Sequence, residues 1–400
     1  MINIIKIVKA YKTNVLKLLT GFVYIFSIIQ VAKKTIYSEN LEWSNWAYSD
    51  YLISFPEKYI RRGFLGEFFL QIDKDGFLFN TIQGYVFFNF VIFCLLLYFF
   101  FKKFKVNISL QFTLLFSSFG LFHMSTYDVF YFRREILIFN FFMIYLFLLK
   151  KLNHNKIKNF LTYLILFIVS LIHEGILILI FPFVLIGLSK NKDILFNLHK
   201  IRFFYLMLLV ASLIFRGTYS DSKIIWDNIN ELDKLVMNVP PSELENLFGA
   251  ISAINWTIFQ AFKLSFNTIF SGNLIYWLGV LFLAILPIYY CFFYNTNYLN
   301  KIRYKISLFK FDILPIIFIF LIGWDWGRWI NILFYFTVLT LISLSEDPPK
   351  DFNELKISHL SMIFIISFFS IVPECCINSQ APRILDNFNR IFSSIKILIN

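Results

Sequence analysis

Four short segments of this chain set ionisable residues inside or beside apolar runs: Arg61-Arg62-Gly63, Phe132-Arg133-Arg134-Glu135, His173-Glu174 and Asp325-Trp326-Gly327-Arg328. Charge in or beside hydrocarbon is costly, so such residues are functional suspects by default. Arginine presents a planar fork of donors that matches phosphate or carboxylate oxygens two at a time. Carboxylates and histidine can accept a proton once a partly dry pocket tunes them. Together these types suit an anion held beside a proton acceptor. Glu174, His173 and Asp325 are the candidate acid–base residues. Arg61, Arg62, Arg133, Arg134 and Arg328 are the candidate anion binders, and Asp50, Glu67 and Asp128 are further candidate acids.

Each segment also has a plainer reading. Arg133 and Arg134 pair with Asp128 or Glu135 and snorkel outward. Glu174 forms a buried pair with an arginine, and Asp325 pairs with Arg328 across one helical turn. A zinc site at His173-Glu174 needs a second histidine nearby, and Leu177 stands where it would fall. The reading therefore calls for no metal and no cofactor. Trp324, Trp326 and Trp329 fit an interfacial aromatic belt, or a platform for the C–H face of a sugar. Trp43, Trp46, Tyr48, Asp50, Tyr51, Glu57, Tyr59, Arg61 and Arg62 mix aromatics with both charge signs. That mixture suits carbohydrate or headgroup binding, and equally an ordinary interfacial loop.

The elements that hold these residues follow from composition. With 58% hydrophobic and 16% charged residues, the chain lies outside the range of soluble domains. Its repeated apolar runs approach the length that spans ~30 Å of hydrocarbon, and they are continuous rather than alternating. The expectation is an all-α, polytopic integral membrane protein forming a single domain over residues 1–400. The 54 phenylalanines are expected to fill lipid-facing surface. The net charge of +12 is carried mostly by lysine clusters between apolar runs, a topology signal. It argues for membrane lipids as partners and against nucleic acid. Cys94, Cys291, Cys375 and Cys376 give no disulfide or metal framework.

Lys6, Lys9 and Lys12 place the N-terminus in the cytoplasm. Val15 to Ala32 reads as a retained first span, since it lacks a small-residue cleavage site, and residues 33–81 form the first outer loop. Further spans are expected near 82–101, 109–124, 203–215, 274–294 and 357–372, with a short out-and-back pair at 313–322 and 330–344. Ile136 to Leu149 makes only about 21 Å of helix, so that helix is expected to start near Val129, with both arginines in its first turns. Cations there oppose the helix dipole and require compensation. The 161–188 stretch is read as two helices breaking at His173-Glu174-Gly175, which keeps Lys190, Lys192, Lys200 and Arg202 inside. Residues 217–272 form an outer loop with an interfacial or re-entrant helix, and Ser242 to Glu245 reads as a capping box. The total is about eleven spans. All four motifs then lie at outer helix ends, arginine outside and lysine inside.

Tyr59-Ile60-Arg61-Arg62-Gly63, the Asp128 to Glu135 segment, His173-Glu174 and Asp325 to Arg328 resemble bacterial polytopic proteins of surface-polysaccharide assembly. These are the O-antigen or capsule repeat-unit polymerases and, more distantly, the multi-span transferases that use polyprenyl-linked sugars. The resemblance implies chemistry at the outer face of the cytoplasmic membrane, where arginines hold the diphosphate of a polyprenyl-linked glycan. The expected activity is a membrane glycosyltransferase or polymerase, with other polysaccharide-assembly proteins as partners. The rival expectations are a flippase for lipid-linked sugars and an assembly scaffold without chemistry.

Overall fold

In the computed structural model, every regular element among the described residues is helical. The structure describes residues 2–36, 45–56, 58–73, 76–126, 131–189, 198–237, 249–268, 274–289, 292, 304, 307–322 and 325–344. In chain order the helices are α1 (Ile2–Ile36), α2 (Asn45–Tyr51), α3 (Gly63–Ile72), α4 (Phe79–Lys103), α5 (Ile108–Phe116), α6 (Leu121–Thr126), α7 (Glu135–Lys151), α8 (Asn155–Ile172) and α9 (Glu174–Leu188). They continue with α10 (Leu198–Ile214), α11 (Tyr219–Asn228), α12 (Glu231–Val236), α13 (Gly249–Ser252), α14 (Ile258–Thr268), α15 (Leu274–Ile288), α16 (Lys310–Ile322) and α17 (Trp326–Leu344).

Five of these stretches are long and apolar enough to cross a membrane: residues 13–36, α4, the broken α5–α6 pair, α8 and α17. A sixth is added if α10 and α11, bent by 75°, count as one span. The last expected span, at 357–372, and the Ser242–Glu245 capping box lie outside the described residues. A capping box does occur within residues 217–272: the Thr218 hydroxyl accepts from the Asp221 N–H and the Asp221 carboxylate accepts from the Thr218 N–H, opening α11.

The bundle is organised around α17. Fully 89% of its membrane-length window is buried, against 33% for that of α1. It packs on α7, α9, α15 and α16, while α1 lies against α4, α5 and α6 at the periphery. Phenylalanine is not confined to the outside, contrary to the sequence-based expectation. Phe88, Phe160 and Phe203 are exposed, but Phe90, Phe93, Phe139, Phe142 and Phe336 are buried between helices. Phe139 packs on Tyr335 and Phe336, with centroids 4.9 and 5.6 Å apart, in tilted and edge-on arrangements favoured by the ring quadrupole. In a bundle with few small residues, large flat rings fill the interhelical gaps. Polar pairs fix register between neighbours: the Asn140 side-chain amide donates to the Asn89 carbonyl and amide oxygen at 3.1 and 3.0 Å, and Tyr145 bonds Thr162 at 3.1 Å.

The bundle has two chemically distinct ends. Arg202 near the start of α10 forms a two-point ion pair with Asp312 near the start of α16, at 2.9 and 2.6 Å. Lys102 and Lys103 end α4, Lys150 and Lys151 end α7, and Lys156 and Lys158 begin α8. The opposite ends of α7, α8, α10 and α16 carry Glu135, Ile172, Leu213 and Ile322. The break at His173 is as expected, because its backbone is extended (φ −163°, ψ 114°) between two helical runs. One expectation is corrected: α7 begins at Glu135, so Arg133 and Arg134 form the turn before it rather than its first coils. The Arg134 carbonyl accepts from the Leu137 and Ile138 N–H groups, so the arginine backbone starts the helix.

Candidate functional site

Arg61 and Arg62 lie in the turn that opens α3. Arg62 adopts left-handed backbone angles (φ 67°, ψ −6°), a conformation that costs a residue with a Cβ roughly 1–2 kcal/mol. Two sets of contacts hold it there. Arg134 Nη1 donates to the Arg62 carbonyl at 2.7 Å. The Arg62 guanidinium grips Glu174, with Nε 3.0 and 2.8 Å from its two oxygens and Nη2 2.5 Å from one. Arg61 adds a second cation at 3.3 Å from the same carboxylate, and its N–H donates to the Phe215 carbonyl at 3.0 Å. Burial draws the Arg61 pKa down; for Arg62 burial acts the same way, but the Glu174 carboxylate outweighs it and raises the pKa. The α3 turn is seated by glycine: a Cβ on Gly66 would lie 2.0 Å from the Ile53 carbonyl oxygen.

Arg133 and Arg134 separate in function. Arg134 is fully buried and its Nε stands 3.1 Å from an Asp50 oxygen, itself 97% buried. It does not pair with Glu135 or snorkel outward. Glu135 instead pairs with Arg328, which also holds Asp325 at 3.2 Å across one turn of α17's start. Arg133 is 6% exposed, yet its guanidinium makes no hydrogen bond or ion pair with any described residue. Burial and then the nearby Arg328 charge pull its pKa down, while Asp325, Glu135 and Asp50 offset this in part.

His173 is a helix cap. Its Nδ1 accepts the Gly175 N–H at 3.1 Å, which makes the neutral ring the Nε2–H tautomer. Taking a proton from a substrate on Nδ1 would break that cap. Its ring meets Trp329 edge-on at 5.9 Å.

These residues surround one cavity of about 520 Å³. Asp50, Arg61, Arg62, Arg133, His173, Glu174, Asp325 and Arg328 line it, so all four sequence motifs meet there. Apolar side chains make up much of the rest of the lining, among them Ile178, Leu209, Leu213, Ile258, Ile319 and Ile322. Trp46, Trp256 and Trp329 also reach it, and the first two pack edge-on at 6.2 Å. Arg134 stands behind the wall. Glu67 faces away, accepting from the Phe55 N–H at 3.3 Å, so it braces the turn before α3 rather than the cavity. Asp128, Trp43, Glu57 and Trp324 lie outside the described residues. Trp326 is structural: its Nε1 donates to the Phe320 carbonyl at 2.8 Å. Sequence reasoning missed the pairing of Arg328 with Glu135 and the contributions of Trp256 and Ala253 to the cavity.

No protein-family model, curated protein or solved structure matches this chain.

Proposed function

We propose that the protein is a membrane glycosyltransferase or oligosaccharide polymerase acting on polyprenyl-linked glycans at the outer face of a bacterial cytoplasmic membrane. The observation that carries this reading is the meeting of the four charged motifs at one cavity whose remaining lining is largely apolar. A phosphorylated lipid needs both halves: cations for its phosphoryl oxygens and a greasy wall for its chain. In this reading the chain crosses the membrane about eleven times with its N-terminus inside, and the arginine end of the bundle faces out.

In transfer, the bond between the donor sugar and the phosphoryl oxygen breaks, and its electron pair stays on phosphate. The acceptor hydroxyl forms the new glycosidic bond and gives up its proton. Arg133 stabilises the charge gathering on phosphate, a contribution of the electrostatic kind. Asp325 receives the proton. Its side chain is 24% exposed and meets Arg328 at 3.2 Å, whereas Glu174, 15% exposed, is gripped by both Arg61 and Arg62. Glu174 holds Arg61 and Arg62 in place, and His173 caps the helix that carries it. Cells carrying Asp325→Asn at normal abundance are expected to make no glycan chains and to accumulate single lipid-linked units on the outer leaflet. Accumulation on the inner leaflet instead would replace transfer with transport.

A further inference from the structure

The charged groups at the cavity and directly behind it can be counted among the described residues. Arg61 and Arg62 share Glu174, Arg134 holds Asp50, and Arg328 holds Glu135 and Asp325. Among the described residues, and leaving aside the exposed Arg216, five guanidinium groups, counting Arg133, thus stand with four carboxylates. Each of these carboxylates lies against an arginine, and guanidinium does not lose its proton in proteins. The surplus is one positive charge, on the arginine without an ion-pair partner among the described residues. Buried charge is tolerated when compensated. A ligand with one negative charge brings the cavity to neutrality, whereas one with two leaves a buried excess of negative charge.

We infer that the cavity takes a phosphodiester with a single negative charge on an apolar chain, in preference to a diphosphate. This rests on the proposed function for the sugar but not for the charge. A glycosyl lipid phosphate and a phospholipid headgroup share the chemistry, and the apolar side chains of Ile178, Leu209, Leu213 and Ile319 suit the chain of either. The phosphodiester sets its two free oxygens toward Arg133, and its ester oxygens carry no charge that would meet Asp325 or Asp50.

Calorimetric titration of the full chain in nanodiscs of neutral lipid tests this. The probes are dodecyl phosphoglucose, dodecyl glucosyl diphosphate, dodecyl glucoside and dihexanoylphosphatidylglycerol. Dodecyl phosphoglucose is expected to bind tightest. Losing one charge-assisted contact costs about 1.5–3 kcal/mol, so Arg133→Gln should weaken it by roughly 10- to 100-fold, to the level of the glucoside. Arg133→Lys should retain most of the difference. Because Arg133 has no described ion partner, its neutralisation should leave thermal stability intact, which separates loss of binding from loss of fold. Tighter binding of the diphosphate, still dependent on Arg133, would overturn the single-charge inference and leave the proposed function standing. Absence of Arg133-dependent binding by any probe would overturn both. Equal binding of phosphatidylglycerol and phosphoglucose would uphold the charge inference and count against a glycan-specific site.

Discussion

Arg133 and Arg134 are sequence neighbours with opposite fates, and their contrast can be measured. Arg134 is paired with Asp50, a residue of α2, and also ties down the Arg62 carbonyl. Removing one member of a buried pair strands the other charge, typically at 3–5 kcal/mol. Arg134→Ala is therefore expected to lower the thermal midpoint sharply, while Arg133→Ala leaves it near wild type. Equal destabilisation would mean that Arg133 is also a structural cation. Gly66→Ala should cost about 1–3 kcal/mol by overpacking against the Ile53 backbone, read as a drop in the same midpoint. The charged residues themselves were legible because they stand out against an apolar background. Two partnerships were legible as well, Glu174 with an arginine and Asp325 with Arg328 one turn away; the third was not, since Arg328 meets Glu135 across 193 residues and no local spacing encodes that contact. The left-handed backbone of Arg62 was equally hidden, because glycine is the usual signal for it and here follows one residue later.

At the scale of elements, the helix break at His173 was readable, since a charged pair and a glycine coincide in one apolar run. What makes it a clean boundary is the imidazole cap on α9. Substituting an N-cap side chain by alanine costs about 1 kcal/mol, so His173→Ala should destabilise the fold by that order and His173→Asn should restore most of it. If His173 were instead the essential base, His173→Asn would be folded and inactive. The start of α7 was misjudged because the length rule assumes a helix that crosses the bilayer unaided, while here the Arg133-Arg134 turn is itself buried among other elements. The role of phenylalanine was misjudged for a related reason: composition reports abundance and not which face of a helix is covered.

The short helices α2 and α12 share a pH-sensitive contact. Tyr48 on α2 donates a hydrogen bond to Asp233 on α12, and the Leu78 N–H donates to the same carboxylate. Burial, the largest influence, lifts Asp233 from 3.8 to about 6, with Asp73 adding to the rise and the hydrogen bonds opposing it. The folded state thus binds the proton more tightly than the unfolded chain. Its stabilising contribution is complete below about pH 4 and is lost as pH rises through about 6. Across that window the wild type should lose stability relative to Asp233→Asn, as followed by thermal unfolding in detergent. A constant difference between the two would show that the carboxylate does not titrate there.

Over the whole molecule, one polarity organises the chain: lysines at one end of the bundle, and paired arginines around a half-apolar cavity at the other. This division was visible in the sequence as a split between two cationic residue types, and the fold brings the arginine segments, 61 to 328, around one cavity. The number of membrane crossings was less legible, because α3, α9 and α15 are apolar yet shorter than a full span, and hydropathy alone does not separate a short span from a buried core helix. The central claim is that this cavity is where a lipid-linked glycan is handled, with Arg133 as its uncommitted cation. Its most direct test is the glycan ladder made by cells expressing Arg133→Ala at wild-type membrane abundance. The expected result is loss of chains longer than one unit, with single units retained on the outer leaflet; a ladder of wild-type length and intensity would contradict it.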